Sequence, residues 1–216
     1  MPIFPLDENI IFPDPSLAEP DGLLAIGGDL SPVRLLEAYR SGVFPWFEGD
    51  VPLWWSPDPR FVLFPASLKI SNSMKAIMRK QTFTYTRNKA FGEVIANCKT
   101  IYRPGQDGTW ITAGMQKAYL QLHHMGYALS AETWQDDRLV GGLYGVQMGR
   151  IFFGESMFAL ESNASKFAFI NLVRELQAQG VVLIDCQVHT AHLESLGAKM
   201  ISRRVYLNYL RDCLIS

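Results

Sequence analysis

The spacing of apolar residues separates a turn-rich beginning from a regularly patterned remainder. Before residue 60 one helix stands out: Ser31 can cap it, Pro32 suits its first position, Leu35, Leu36 and Tyr39 form an apolar stripe, and Gly42 ends it. The rest of that stretch reads as turns and short strands. Further on, Ile70, Met74, Ile77 and Met78 recur at helical spacing, residues 82–86 alternate like a strand, and Phe91, Val94, Ile95 and Cys98 return to a helical period. Thr112 caps a helix carrying Met115, Ala118, Tyr119 and Leu122 as far as Gly126. Strand-like runs follow over residues 127–134, 138–147 and 150–154, then a helix over 164–179 stopped by Gly180, a β-rich run over 181–186, a short helix near 192–196 and a last strand over 200–207. A three-strand meander followed by alternating strand and helix predicts an α+β fold, a mixed sheet with helices on its faces. Residues 1–60 form a small Pro-rich domain in this reading and residues 61–216 the sheet domain.

Composition narrows the class. With 48% hydrophobic and 19% charged residues in 216, the chain is globular and not disordered. No apolar run approaches the roughly 18 residues of a membrane span. The first basic residue is Arg34, so a basic leader is missing and a cytoplasmic location is expected. Cys98, Cys186 and Cys213 are widely spaced, and the pairs His123–His124 and His189–His192 lack the helical zinc spacing. Neither a disulfide framework nor a metal site is expected.

Charge is uneven along the chain. Residues 1–59 hold ten acids against two bases, whereas residues 60–103 hold nine bases against one acid, Glu93. The basic block can meet a polyanion through its phosphates, unless the acidic block packs beside it and cancels it. Its densest part is Lys75, Arg79 and Lys80, with Lys75 and Arg79 four apart on the polar face of a helix.

Candidate chemistry gathers near the end of the β-rich run. Asp185 and Gln187 follow Val181-Val182-Leu183-Ile184, and a period of two sends both to one face at the carboxyl end of a buried strand. An aspartate there needs a cation or donors beside it. Glu155 ends the strand over 150–154, and two carboxylates converging there favour a cationic substrate. Three of the five tryptophans, Trp46, Trp54 and Trp55, lie together as either a small core or the wall of a site.

The element order is similar to that of the GNAT acyltransferases. Residues 154–163 lack the glycines of a coenzyme A pyrophosphate loop and contain Glu155 and Glu161, so a different acyl donor is expected. Across most of its length the chain resembles the bacterial leucyl/phenylalanyl-tRNA-protein transferases. The resemblance is carried by Gly22-Leu23-Leu24-Ala25-Ile26-Gly27-Gly28-Asp29-Leu30, Gly42-Val43-Phe44-Pro45-Trp46, Trp54-Trp55-Ser56-Pro57-Asp58-Pro59-Arg60, Gly154-Glu155-Ser156-Met157-Phe158 and Ile184-Asp185-Cys186-Gln187. It implies transfer of leucine, phenylalanine or methionine from aminoacyl-tRNA to the N-terminal Arg or Lys of a protein, marking that protein for N-end-rule degradation, with no cofactor and no metal. It implies a catalytic pair in Asp185 and Gln187 and an acid holding the acceptor in Glu155. By the same resemblance Leu143, Phe152, Phe169, Leu172 and Ile184 form a pocket for the donor side chain, Trp110 stacks on the terminal adenine, and Lys75, Arg79 and Lys80 hold the acceptor stem. The rival readings are a coenzyme-A-dependent N-acyltransferase and a non-catalytic RNA-binding module.

Overall fold

Two sheets organise the residues that the computed structural model describes, 3–101 and 111–214. The first is built from β1 (Phe4–Leu6), β2 (Leu23–Gly27), β3 (Phe44–Pro45) and β4 (Leu53–Trp55), in the order β1-β2-β4-β3, with α1 (Pro32–Arg40) between β2 and β3. The Ser31 hydroxyl caps α1 by accepting the Arg34 N–H, and Leu35, Leu36, Ala38 and Tyr39 turn inward. Arg34 is itself buried and donates to the carbonyls of Asp7 and Asn9, which ties the start of the chain to α1. The tryptophans divide between roles. Trp54 is fully buried and donates to the Gly27 carbonyl, while Trp46 stays 39% exposed.

The second sheet begins at Arg60. Its strands are β5 (Arg60–Leu63), β6 (Thr84–Arg87), β7 (Ala128–Gln135), β8 (Arg138–Met148), β9 (Ile151–Ala159), β10 (Leu183–Gln187) and β11 (Lys199–Ile201), ordered β11-β5-β10-β9-β8-β7-β6. Only β9 and β10 pair in parallel among these strands, and the required crossover is a helix, α5 (Ala164–Ala178). The remaining helices are α2 (Asn72–Arg79), α3 (Phe91–Thr100), α4 (Ala113–His124), α6 (Ala191–Ser195) and α7 (Arg203–Cys213). One apolar cluster, with Tyr39, Trp54, Phe91, Tyr119, Phe153 and Tyr206, joins the N-terminal sheet, α3, α4 and α7 to one face. A second, with Met74, Phe152, Phe169, Leu172 and Ile184, joins α2 and α5 to the other. The observed architecture is the expected mixed sheet covered on both faces.

Strand β5 is not among the expected elements, and two that are expected take a different form. Residues 200–207 are not one strand: β11 stops at Ile201, the Ser202 hydroxyl accepts the Val205 N–H, and α7 follows. Val205-Tyr206-Leu207 suits a strand by residue type, but Tyr206, Leu210 and Cys213 are the buried positions, and that spacing belongs to a helix. The strand expected over 150–154 continues to Ala159, so Glu155 lies within β9 and not at its end.

Candidate active site

The parallel pairing of β9 with β10 stops at the Phe153–Asp185 pair. Immediately beyond, both strands shift register against their other neighbours. On β9 the pairs Tyr144–Ser156 and Gly145–Gly154 leave Glu155 as the extra residue, and on β10 the pairs Asp185–Val62 and Gln187–Phe61 leave Cys186 as the extra one. A bulge bends its strand and re-aims side chains, and here two occur side by side. Gly145 faces the first, where any Cβ would strike the Phe153 carbonyl. Past the bulges lies a cavity of about 400 Å³, lined by residues that include Glu155 and Gln187.

Asp185 is fully buried and saturated with donors. Arg60 Nε reaches Oδ1 at 2.9 Å and Nη2 reaches Oδ2 at 2.7 Å, the Tyr206 hydroxyl donates to Oδ2 at 2.7 Å, and the Gln187 N–H donates to Oδ1 at 2.9 Å. Two donors per oxygen fill the acceptor capacity of a carboxylate. The guanidinium is held between the rings of Phe44 and Tyr206, each 4.6 Å away. Burial opposes its charge, but the Asp185 carboxylate and Tyr206 hold Arg60 above its ordinary pKa. Both expected carboxylates line the cavity, and they differ in their partners: Asp185 is ion-paired with Arg60 inside the protein.

Glu155 has a different surround. Its Oε1 accepts from the Tyr39 hydroxyl at 2.8 Å and from Gln187 Nε2 at 3.0 Å, and its Oε2 accepts from the Tyr119 hydroxyl at 2.7 Å. Burial pushes this carboxyl up to about 7, the Asp185 charge adds to the rise, and the three donors work against it. Burial first, and then the charge of Glu155, raises both phenols well above 10.0, which keeps them protonated. Gln187 sits at a φ of 63°, a left-handed conformation that costs a side-chain-bearing residue about 1–3 kcal/mol and is fixed here by the bond from its N–H to Asp185.

The other expected residues are placed as follows. Leu143, Phe169 and Ile184 line the cavity beside Met157 and Leu193, whereas Phe152 and Leu172 are fully buried in the same cluster and do not reach its wall. Lys75, Arg79 and Lys80 are exposed on α2 and its C-terminal cap, while Met74 of the same helix is buried. The acidic block does not supply the partners of Arg60 and Arg87, which pair with Asp185 and Glu175. Trp110 lies outside the described residues. Sequence reasoning missed Arg60, Tyr206, Tyr39 and Tyr119 as parts of the site. The one available signal was that Asp185, after four apolar residues, requires a cation. Among the described residues no group of three or more potential metal ligands occurs, and no helix is long and apolar enough to cross a membrane.

Comparison with known proteins gives matches at the level of family, relatives and solved structures. A family model described as leucyl/phenylalanyl-tRNA protein transferase matches residues 62–211, and the model of that family's N-terminal domain matches residues 28–58. The leucyl/phenylalanyl-tRNA–protein transferase of Syntrophobacter fumaroxidans is 56% identical over 98% of this chain and 91% of its own, and that of Syntrophus aciditrophicus is 56% identical over 99% and 90%. A solved GCN5-related N-acetyltransferase-like protein from Streptococcus suis is 12% identical, with a TM-score of 0.38 over 66% of this chain and 59% of that one. With a family model covering most of its length and relatives more than half identical to it, the chain belongs to the leucyl/phenylalanyl-tRNA–protein transferase family.

Proposed function

We propose that this chain transfers leucine or phenylalanine, and also methionine, from aminoacyl-tRNA to the N-terminal amine of proteins that begin with Arg or Lys. The observation that supports this reading is the juxtaposition in one cavity of an apolar wall, Leu143, Phe169 and Ile184, with the polar pair Glu155 and Gln187. The donor's apolar side chain enters the first part. The Glu155 carboxylate attracts the cationic acceptor to the second.

In the reaction the acceptor nitrogen attacks the ester carbonyl carbon, the N–C bond forms, the bond to the terminal 3′-oxygen breaks, and that oxygen leaves with a proton. Gln187 gives its Nε2 hydrogen to Glu155, so its carbonyl oxygen is the group it offers the attacking amine. A neutral amide is a poor base, and Gln187 acts by holding the amine in line with the ester. Asp185 is a positioning residue in this scheme: it holds Arg60 and Tyr206 and fixes the backbone of Gln187. Lys75, Arg79 and Lys80 contact the backbone of the acceptor stem, which needs charge and no base-specific code.

Labelled leucyl-tRNA incubated with two peptides that differ only in an N-terminal Arg or Ala tests the reading. Label on the Arg peptide and not on the Ala peptide supports it. Label on neither, with tRNA still bound, transfers support to an RNA-binding module, and saturable binding of acetyl-coenzyme A supports the N-acyltransferase.

A further inference from the structure

The contacts around Glu155 hold more oxygen pairs than hydrogens when the carboxylate is ionised. Tyr39 Oη to Glu155 Oε1 is 2.8 Å, Tyr119 Oη to Glu155 Oε2 is 2.7 Å, and the two phenol oxygens are 2.6 Å apart. Each contact has the length of an O–H···O hydrogen bond and needs one hydrogen. Two phenols supply two, so in the ionised state one close pair meets lone pair to lone pair. A proton on Oε2 supplies the third: Oε2–H donates to Tyr119, Tyr119 to Tyr39 and Tyr39 to Oε1, a closed ring in which each bond polarises the next. Oε1 already accepts from Tyr39 and from Gln187, whereas Oε2 accepts only from Tyr119 among these groups, so Oε2 retains acceptor capacity.

We propose that Tyr39 and Tyr119 make Glu155 the proton acceptor of the transfer reaction, the acceptor's ammonium giving one proton to Oε2 and closing the three-hydrogen ring. This rests on the proposed function and names the base that reading leaves open. The stoichiometry balances: the ammonium loses one proton to Glu155 to become an amine, the amine nitrogen loses a second as the peptide bond forms, the departing 3′-oxygen gains one, and Glu155 returns its proton to solvent. The groups facing the ring are consistent with this. Tyr119 packs edge-on to Tyr144 of β8, Gln187 comes from β10, and the nearby Asp185 is compensated by Arg60 and Tyr206. The enclosed position pushes Glu155 up to about 7, within reach of neutral pH, where a general base works best.

The test is a titration of the Glu155 carboxyl by infrared difference spectroscopy, alongside the pH profile of single-turnover transfer. It uses the intact protein and the variants Glu155→Gln, Tyr39→Phe and Tyr119→Phe. The expected result is a carboxyl band titrating near neutrality that Glu155→Gln removes. Each Phe variant removes one donor to the anion, which alone would raise the midpoint, but it also opens the ring and removes the lone-pair contact. The proposal has the second effect outweigh the first, so each midpoint should fall, by about one pH unit, the equivalent of about one neutral hydrogen bond. The acid limb of the transfer profile should follow. If the phenols were only independent donors to the anion, each Phe variant would raise the midpoint, and a purely structural role would leave it unmoved. Either outcome overturns the proposal, as does a midpoint that moves without the activity limb. The spectroscopic arm reads Glu155 even in a protein that transfers nothing, so failure of the ring and failure of the transferase reading are distinguishable.

Discussion

Asp185 shows what the interior of a sheet demands of a charged residue. Carried inward behind Val181-Val182-Leu183-Ile184, it is tolerable only because Arg60 and Tyr206 accompany it. Asp185→Ala leaves a guanidinium buried between two aromatic rings and is expected to cost about 3–5 kcal/mol of stability, measured by urea unfolding. The double change Asp185→Leu with Arg60→Met should cost less than that single change. A loss below about 1 kcal/mol for Asp185→Ala contradicts the pairing. The need for a cation was legible beforehand, but its identity was not: the partners are 125 residues apart, and no local pattern links them. A second residue-level expectation concerns Leu143, on the cavity wall. Leu143→Ala enlarges the pocket and should shift the ratio of kcat/KM for phenylalanyl- over leucyl-tRNA upward by roughly tenfold. An unchanged ratio removes Leu143 from side-chain selection.

Among the elements, α7 had the largest consequence for the site. Read as a strand, residues 200–207 hide Tyr206; as a helix they carry it to Asp185, and the capping Ser202 is what signalled the difference. Helix α1 and the helix over Ala113–His124 were legible from their caps and apolar stripes, yet the same stripes concealed Tyr39 and Tyr119, whose rings fill the core while their hydroxyls serve Glu155. The two bulges left no periodic trace, since an extra residue at one point does not disturb the pattern on either side. Helix α2 yields a separable prediction. Lys75→Ala, Arg79→Ala and Lys80→Ala should each weaken tRNA binding and, for each lost phosphate contact, flatten the slope of log affinity against log salt by about 0.7–0.9. Preference between leucine and phenylalanine should not move. A changed preference with an unchanged salt slope contradicts the assignment.

Viewed together, the two sheets enclose an acid that is harder to ionise in the folded protein than in the unfolded chain. Glu155 moves from an ordinary 4.5 to about 7, so between those values the folded state holds more protons than the unfolded one. Stability contributed at low pH is therefore lost as pH rises through that window and stays lost above it. Relative to Glu155→Gln, the native protein should lose up to about 3 kcal/mol between about pH 4.5 and pH 7, read from paired urea unfolding curves. A difference that grows in the opposite direction places Glu155 among ordinary stabilised carboxylates. Fold class and the run of helices and strands were largely open to sequence reasoning because they follow from local periodicity. The cavity was not, since it forms where β9 and β10 part, and the groups that hold its Glu155 and Asp185 come from α1, α4, β5 and α7. The most direct measurement on that cavity is single-turnover transfer of labelled leucine to an Arg-ended peptide by Gln187→Ala and Glu155→Gln, with tRNA affinity determined in the same samples. A fall in rate of at least about 100-fold with the Kd for leucyl-tRNA unchanged is the expected result. Rates within a few-fold of the native protein, or affinity falling in step with rate, would contradict a reaction centred on Glu155 and Gln187.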